Sequence, residues 1–224
     1  MTDALDRLAG PGDDLFRRVE VVLDAGGVSA GSRVEGLLVR VGAMPAEVLE
    51  YALRLDVGSI RAAVQELRGL GDHFRVLPER LSADVRGSGW EGSGAEAFGV
   101  AWAALAAFIG GDEDSIVGRV DATAAYLDGV AGWAEQFRSE LAEAVACVLQ
   151  SAEAVVVVTA AQEPEAVAAA GRIAERVLRT AADALDAADR LRTRYEGRLG
   201  ALEYLPPQVP RGAASIAGVT RVAL

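Results

Sequence analysis

From Ile60 onward the apolar residues of this chain return at every third or fourth position, through three segments punctuated by glycine or proline. The first series is Ile60, Ala63, Leu67, Leu70, Phe74, Leu77 and Leu81. The second is Ile116, Val120, Thr123, Leu127, Val130, Ala134, Phe137, Leu141, Ala144 and Val148. The third is Val167, Ala170, Ala174, Val177, Ala181, Ala184, Ala188, Leu191 and Tyr195. Residues three or four apart stack on one face of an α-helix, whereas a strand alternates its side chains between two faces. A spacing held over several heptads predicts long helices lying side by side. Composition agrees: 51% of residues are hydrophobic, many of them Ala, and only 5% are aromatic, so burial is shallow and spread along elements. At 224 residues the chain can bury a core as one large domain or two smaller ones.

Punctuation sets the boundaries. Glu163-Pro164-Glu165 places proline and acid in a first helical turn, so a break is expected near Gln162. Gly110-Gly111 followed by Asp112, Glu113 and Asp114 marks a kink or a restart. Pro78 is expected to bend the first long helix or begin a new turn. Val155–Val158 is strand-like alone, but its Ala-rich flanks and the lack of a strand to pair with predict helix. Upstream, DDLFRRVEVVLDAGG, SRVEGLLVRVG and MPAEVLEYALRLD read as three short helices, with a strand left open for VEVVL. PPQVPRGAASIAGVTRVAL opens on prolines and loses the periodicity. The expected architecture is all-α, with residues 1–57 a small N-terminal helical cap. Residues 58–205 form a bundle, a long antiparallel helical hairpin extended by a third long helix, and 206–224 are a flexible or docking tail.

The formal net charge of −11 repels nucleic acid and anionic lipid, and no nucleic-acid partner is expected. All 22 basic residues are Arg, with Lys and Asn absent, a usage that fits a GC-rich genome; an actinobacterial source is the expectation. The one basic cluster, RLRTRYEGR at 190–198, has a plainer use at the negative end of a helix dipole. The apolar runs fall short of the ~20 residues that span a bilayer, so no integral membrane segment is expected. MTDALDRLAG lacks a basic start followed by an apolar stretch. The expectation is a cytoplasmic protein, or one exported without a cleaved signal. The one cysteine, Cys147, lies in the apolar run AVACVLQSAEAVVVV and is expected to be a buried structural thiol.

GSGWEG, residues 87–92, admits two readings. Its Gly-x-Gly-x-x-Gly letters match a dinucleotide-binding loop, which needs a preceding strand and an acid about 20 residues on. Asp112 has that spacing, but LPERLSADVR before the glycines reads as helix, and a tryptophan in the loop obstructs close approach to phosphate. As a turn between helices the stretch is better used. Gly87 and Gly89 permit the required backbone angles, and Gly92 lets the chain reverse. Ser93 with Glu96 fits a Ser-x-x-Glu capping box, and Trp90 can pack where two helices diverge.

A helix, then GSGWEGSGAEAF with Trp90-Glu91-Gly92, then a second helix resembles the WXG (ESAT-like) superfamily of helical hairpins associated with type VII secretion. The resemblance covers about residues 58–160; Ala97 and Phe98 sit where that family has small and aromatic residues. It implies an antiparallel hairpin, often paired into a four-helix bundle and exported folded. The family's export tag, Tyr-x-x-x-Asp/Glu, is not matched: Tyr126, Tyr195 and Tyr204 are followed four residues later by Val130, Leu199 and Gln208.

Candidates for chemistry are few. Any Ser/His/Asp or Cys/His mechanism must use His73, the single histidine, expected at a helix surface or core edge. One His and one Cys do not make a zinc site, the Asp112–Asp114 acids suit a helix start, and no metal or cofactor is expected. Asp183, Asp186, Asp189 and Glu175 share a helix with Arg172, Arg176, Arg179 and Arg190, a salt-bridged solvated face. Trp102 and Trp133 read as core anchors. The leading expectation is a non-enzymatic interaction protein that binds a helical partner, a WXG-like protein or a secretion component, as a homo- or heterodimer. The alternative keeps the fold and makes the chain a delivery domain or cytosolic adaptor for a separately encoded toxin; an enzyme remains a third reading through His73 and the glycine motif.

Overall fold

The computed structural model describes residues 3–28, 31–87, 89–159 and 164–200, and every regular element among them is helical. In order these are α1 (Ala4–Gly26), α2 (Arg33–Val41), α3 (Pro45–Arg54), α4 (Val57–Gly87), α5 (Ser93–Gly110), α6 (Ile116–Leu149), α7 (Ala152–Thr159) and α8 (Pro164–Tyr195), then a 3-10 turn at Glu196–Arg198. The all-α expectation holds among the described residues. VEVVL and Val155–Val158, the two stretches with strand character, lie in α1 and α7.

Local chemistry explains most boundaries. Asp3 accepts from Asp6 N and Asp6 accepts from Asp3 N, both at 2.9 Å, so α1 starts well before the expected DDLF and runs through Pro11. Ser32 caps α2, and Gly42 ends it in the left-handed conformation. Pro45 opens α3. Pro78 does not begin a new turn: α4 is one helix through it, 31 residues long. The expected break near Gln162 lies outside the described residues. The second long segment ends earlier, at Leu149, where Ser151 caps α7 and the axis turns by 63°.

Two compact units are present: the chain up to Ile60 with Gly129–Arg192, and Arg61–Asp128 with the chain from Thr193. In the first, α1 packs on α3 and α7. Its core unites Leu5, Phe16 and Val19 of α1, Leu49 of α3, Leu141 and Val145 of α6, and Ile173, Val177 and Leu178 of α8, all nearly or fully buried. Gly12 makes the approach possible, since a Cβ there would lie 3.1 Å from both Leu49 and Val145. The spacing predicts this core well. Ala134, Phe137, Leu141, Ala144 and Val148 are buried on α6, and Ala170, Ala174, Val177, Ala181 and Ala184 on α8.

The second unit is different. On α4 only Val64 and Gly71 are buried, while Leu70 and Leu81 of the periodic series are exposed. In the first half of α6, Ile116, Val120, Thr123 and Leu127 stay half-buried, although Val117, Ala122 and Ala124 are covered. Gly110-Gly111 is a restart: α5 ends there, and the buried Ser115 opens α6 by accepting from Gly118 N at 3.0 Å.

Candidate interaction surface

The Trp-x-Gly stretch lies between two helices. Gly89 has φ 65° and Gly92 φ 101° with ψ −177°, an extended left-handed combination open to glycine alone. Gly92 is itself the cap of α5: its carbonyl accepts from Ala95 N at 2.9 Å and Glu96 N at 3.1 Å. This corrects the expected capping box. Ser93 already has helical geometry as the first residue, no side chain caps the helix, and exposed Glu96 contributes only a charge in the first turn. Gly87 closes α4, and Ser88 lies outside the described residues. A Cβ on Gly92 would meet nothing within 4 Å, so Gly92→Ala isolates the conformational cost. We expect roughly 1–3 kcal/mol of destabilisation by urea titration, where an ordinary surface substitution costs almost nothing.

Trp90 packs onto α5. Its ring centroid is 5.5 Å from that of Phe98, which lies 6.3 Å from Trp102 with the two planes parallel. Trp102 Nε1 donates to Ser82 Oγ at 2.7 Å, and Ser82 Oγ donates on to the Pro78 carbonyl at 2.7 Å. The indole thus ties α5 to α4 from a half-buried position. Phe98, on which both indoles lean, is itself 37% exposed.

The rest of α5 is its least expected property. Over 18 residues the mean hydropathy is 1.4 with Glu96 the sole charge, yet no residue of the helix is buried. Among its exposed positions Glu96, Val100, Ala103, Ala107 and Gly110 follow steps of four and three, the spacing of one helical face. Small side chains along that line let another backbone come close. Phe98 at 37% and Val100 at 59% are the large apolar side chains that this helix leaves exposed.

Elsewhere the sequence-based candidates scatter. His73 is exposed on α4 beside Phe74, and Cys147 belongs to the other unit. Cys147 is exposed rather than buried, because it falls off the Leu141–Ala144–Val145–Val148 stripe and meets the Arg176 guanidinium, which donates to its sulfur. Trp133 stacks on Phe137 at 6.0 Å and donates to the Ala184 carbonyl of α8 at 2.8 Å. Asp114 pairs with Arg119 at 3.0 Å and Glu113 with Arg198 at 3.1 Å, so these acids secure the restart. The acids of α8 do not only pair along their own helix: Glu175 meets Arg33 at 3.2 Å, and Asp186 meets Arg40. Among the described residues no three His, Cys, Asp or Glu side chains converge.

Sequence reasoning also missed a cleft of about 560 Å³ lined by Tyr51, Trp133, Phe137 and Leu185 together with Glu47 and Arg54. Its polar groups are engaged already. Glu47 accepts from Met44 N at 2.8 Å, Arg54 pairs with Glu50, and the Trp133 indole holds the Ala184 carbonyl. No periodicity announces such a cleft, since it depends on which helices meet. No family model, curated protein or solved structure matches the chain.

Proposed function

We propose that the chain is a non-enzymatic interaction protein, a WXG-like helical hairpin of α4 and α5 that takes up a helical protein partner along the open face of α5. The observation that carries this reading is an 18-residue apolar helix without one buried residue. Such a face gains about 25 cal/mol for each Å² of apolar surface a partner covers, before the cost of association. A protein partner fits better than a lipid surface. Glu91, Glu96, Asp112, Glu113 and Asp114 flank or enter the helix, and no Arg or Lys occurs between Arg86 and Arg119, so anionic headgroups are repelled. The Trp102–Ser82 bond also binds the helix to α4. In a secretion setting the partner is a second WXG-like protein or a component of the export machinery, and a protein within the cell or one exported without a cleaved signal are both compatible with this surface.

Val100, 59% exposed and free of the aromatic row, is the position to test. Light scattering of the purified chain, alone and mixed with the product of the adjoining gene, should give a dimer or heterodimer. Val100→Asp should weaken it at least tenfold without lowering the thermal midpoint. A chain that stays monomeric with that product and instead binds neutral lipid vesicles overturns the proposal.

A further inference from the structure

We propose that the cleft of about 560 Å³ in the first unit binds a small organic cation with an apolar body, of the arylalkylammonium kind. All its residues belong to that unit, so the site is independent of the α5 face. Its volume lies within the roughly 300–1,000 Å³ of small-molecule sites. Three helices build it. On α3, Glu47 and Tyr51 are one turn apart, and on α6 so are Trp133 and Phe137. On α8, Ala181, Ala184 and Ala188 carry methyl groups where larger side chains would fill the space.

Two features select a cation. Aromatic faces attract positive charge, and the cleft offers two such rings in Trp133 and Tyr51. Trp133 is already fixed: it stacks on Phe137 with centroids 6.0 Å apart, and its indole N–H donates to the Ala184 carbonyl at 2.8 Å. A ring held in this way loses little freedom when a ligand arrives. The charge left over is negative. Arg54 pairs with Glu50, and Arg40, next to the lining residue Val41, pairs with Asp186. Glu47 accepts the Met44 N–H at 2.8 Å, and no cation pairs with it among the described residues. An ammonium group there gains a charge-assisted hydrogen bond, whereas an anion meets the same carboxylate as a like charge. The net charge of −11 adds attraction at longer range. The apolar body then covers Phe137 and Leu185, the second of which is 42% exposed.

Calorimetry with three probes of one size, phenethylammonium, 2-phenylethanol and phenylacetate, tests the choice. The cation should bind about tenfold more tightly than the alcohol, and the carboxylate more weakly than either. The chain has three indole N–H signals, of which the cation should move that of Trp133 and leave those of Trp90 and Trp102 in place. Glu47→Gln, which keeps an acceptor for the Met44 N–H, should bring the cation down to the affinity of the alcohol. Ala188→Leu, at a half-buried position, should weaken both about tenfold by filling the cleft. Equal binding of cation and alcohol by the unaltered chain, no binding of the cation, or shifts confined to Trp90 and Trp102 would each overturn the inference. So would a preference for the cation that survives Glu47→Gln. Tighter binding of acetyl-leucyl-arginine amide than of phenethylammonium would assign the cleft to a protein side chain and overturn it as well.

Discussion

Arg138→Ala is expected to lower the stability of the first unit by about 3 kcal/mol, the lower end for breaking a buried ion pair from one side. Arg138 is 8% exposed and spends its guanidinium on three acceptors. Nε donates to Asp3 at 2.7 Å, Nη2 to Asp6 at 2.8 Å and Nη1 to the Ala52 carbonyl at 2.5 Å. One side chain of α6 therefore joins the start of α1 to the end of α3. Removal leaves two carboxylates facing each other without a cation, although both are open enough to be hydrated in part, which keeps the loss from being larger. Lysine should restore less than half, because one ammonium cannot fork to three directions. Thermal unfolding should show the loss as a midpoint lowered by roughly 6–12 °C for a chain of this size.

Acid gives the same prediction a sign. The Arg138 hydrogen bond, the largest influence on it, holds the Asp3 carboxyl below its ordinary range. A depressed folded value stabilises above the unfolded value of about 3.9 and loses that contribution as pH falls through the folded one. The gap between wild type and Arg138→Ala should be full at pH 7 and shrink below about pH 4. A gap that is unchanged at pH 2.5 would show that Arg138 acts through packing alone.

Arg138 also marks the limit of what spacing reveals. It sits one residue after Phe137, beside a buried stripe that periodicity finds, but nothing in its neighbourhood names Asp3, Asp6 and Ala52 as partners. Contacts over such separations depend on how helices are arranged, which no window of sequence contains. The helices themselves were legible because their causes are local: Ser32 and Gly42 bracket α2, and Pro45 opens α3. Ser93 misled for the opposite reason. Capping-box letters are present, but the φ of 101° needed one position earlier belongs to Gly92, so the cap moved to the residue that can adopt it. The face of α5 failed to show for a third reason. Alanine-rich helices read as apolar on every side, and periodicity alone does not say which side lacks a neighbour.

The same substitution at two glycines of α6 should move stability in opposite directions. Gly132→Ala adds a methyl to an exposed helix position with nothing within 4 Å, and should gain about 0.5–1 kcal/mol by reducing the freedom of the unfolded chain. Gly118→Ala places its Cβ 2.5 Å from the Asp112 carbonyl oxygen and 2.7 Å from that of Glu113. Those are backbone atoms, so the restart must open to accept the methyl. It is held by the Ser115 hydroxyl, which donates to the Asp112 carbonyl at 2.7 Å and accepts from Gly118 N at 3.0 Å. Forcing a methylene-sized group into a packed site costs typically 1–3 kcal/mol, which outweighs the helix gain and leaves a net loss of about 1–2 kcal/mol. Urea titrations of the two variants decide it. A stabilised Gly118→Ala would mean that the loop after α5 is free to shift, and with it Glu113, which pairs with Arg198 of the 3-10 turn after α8.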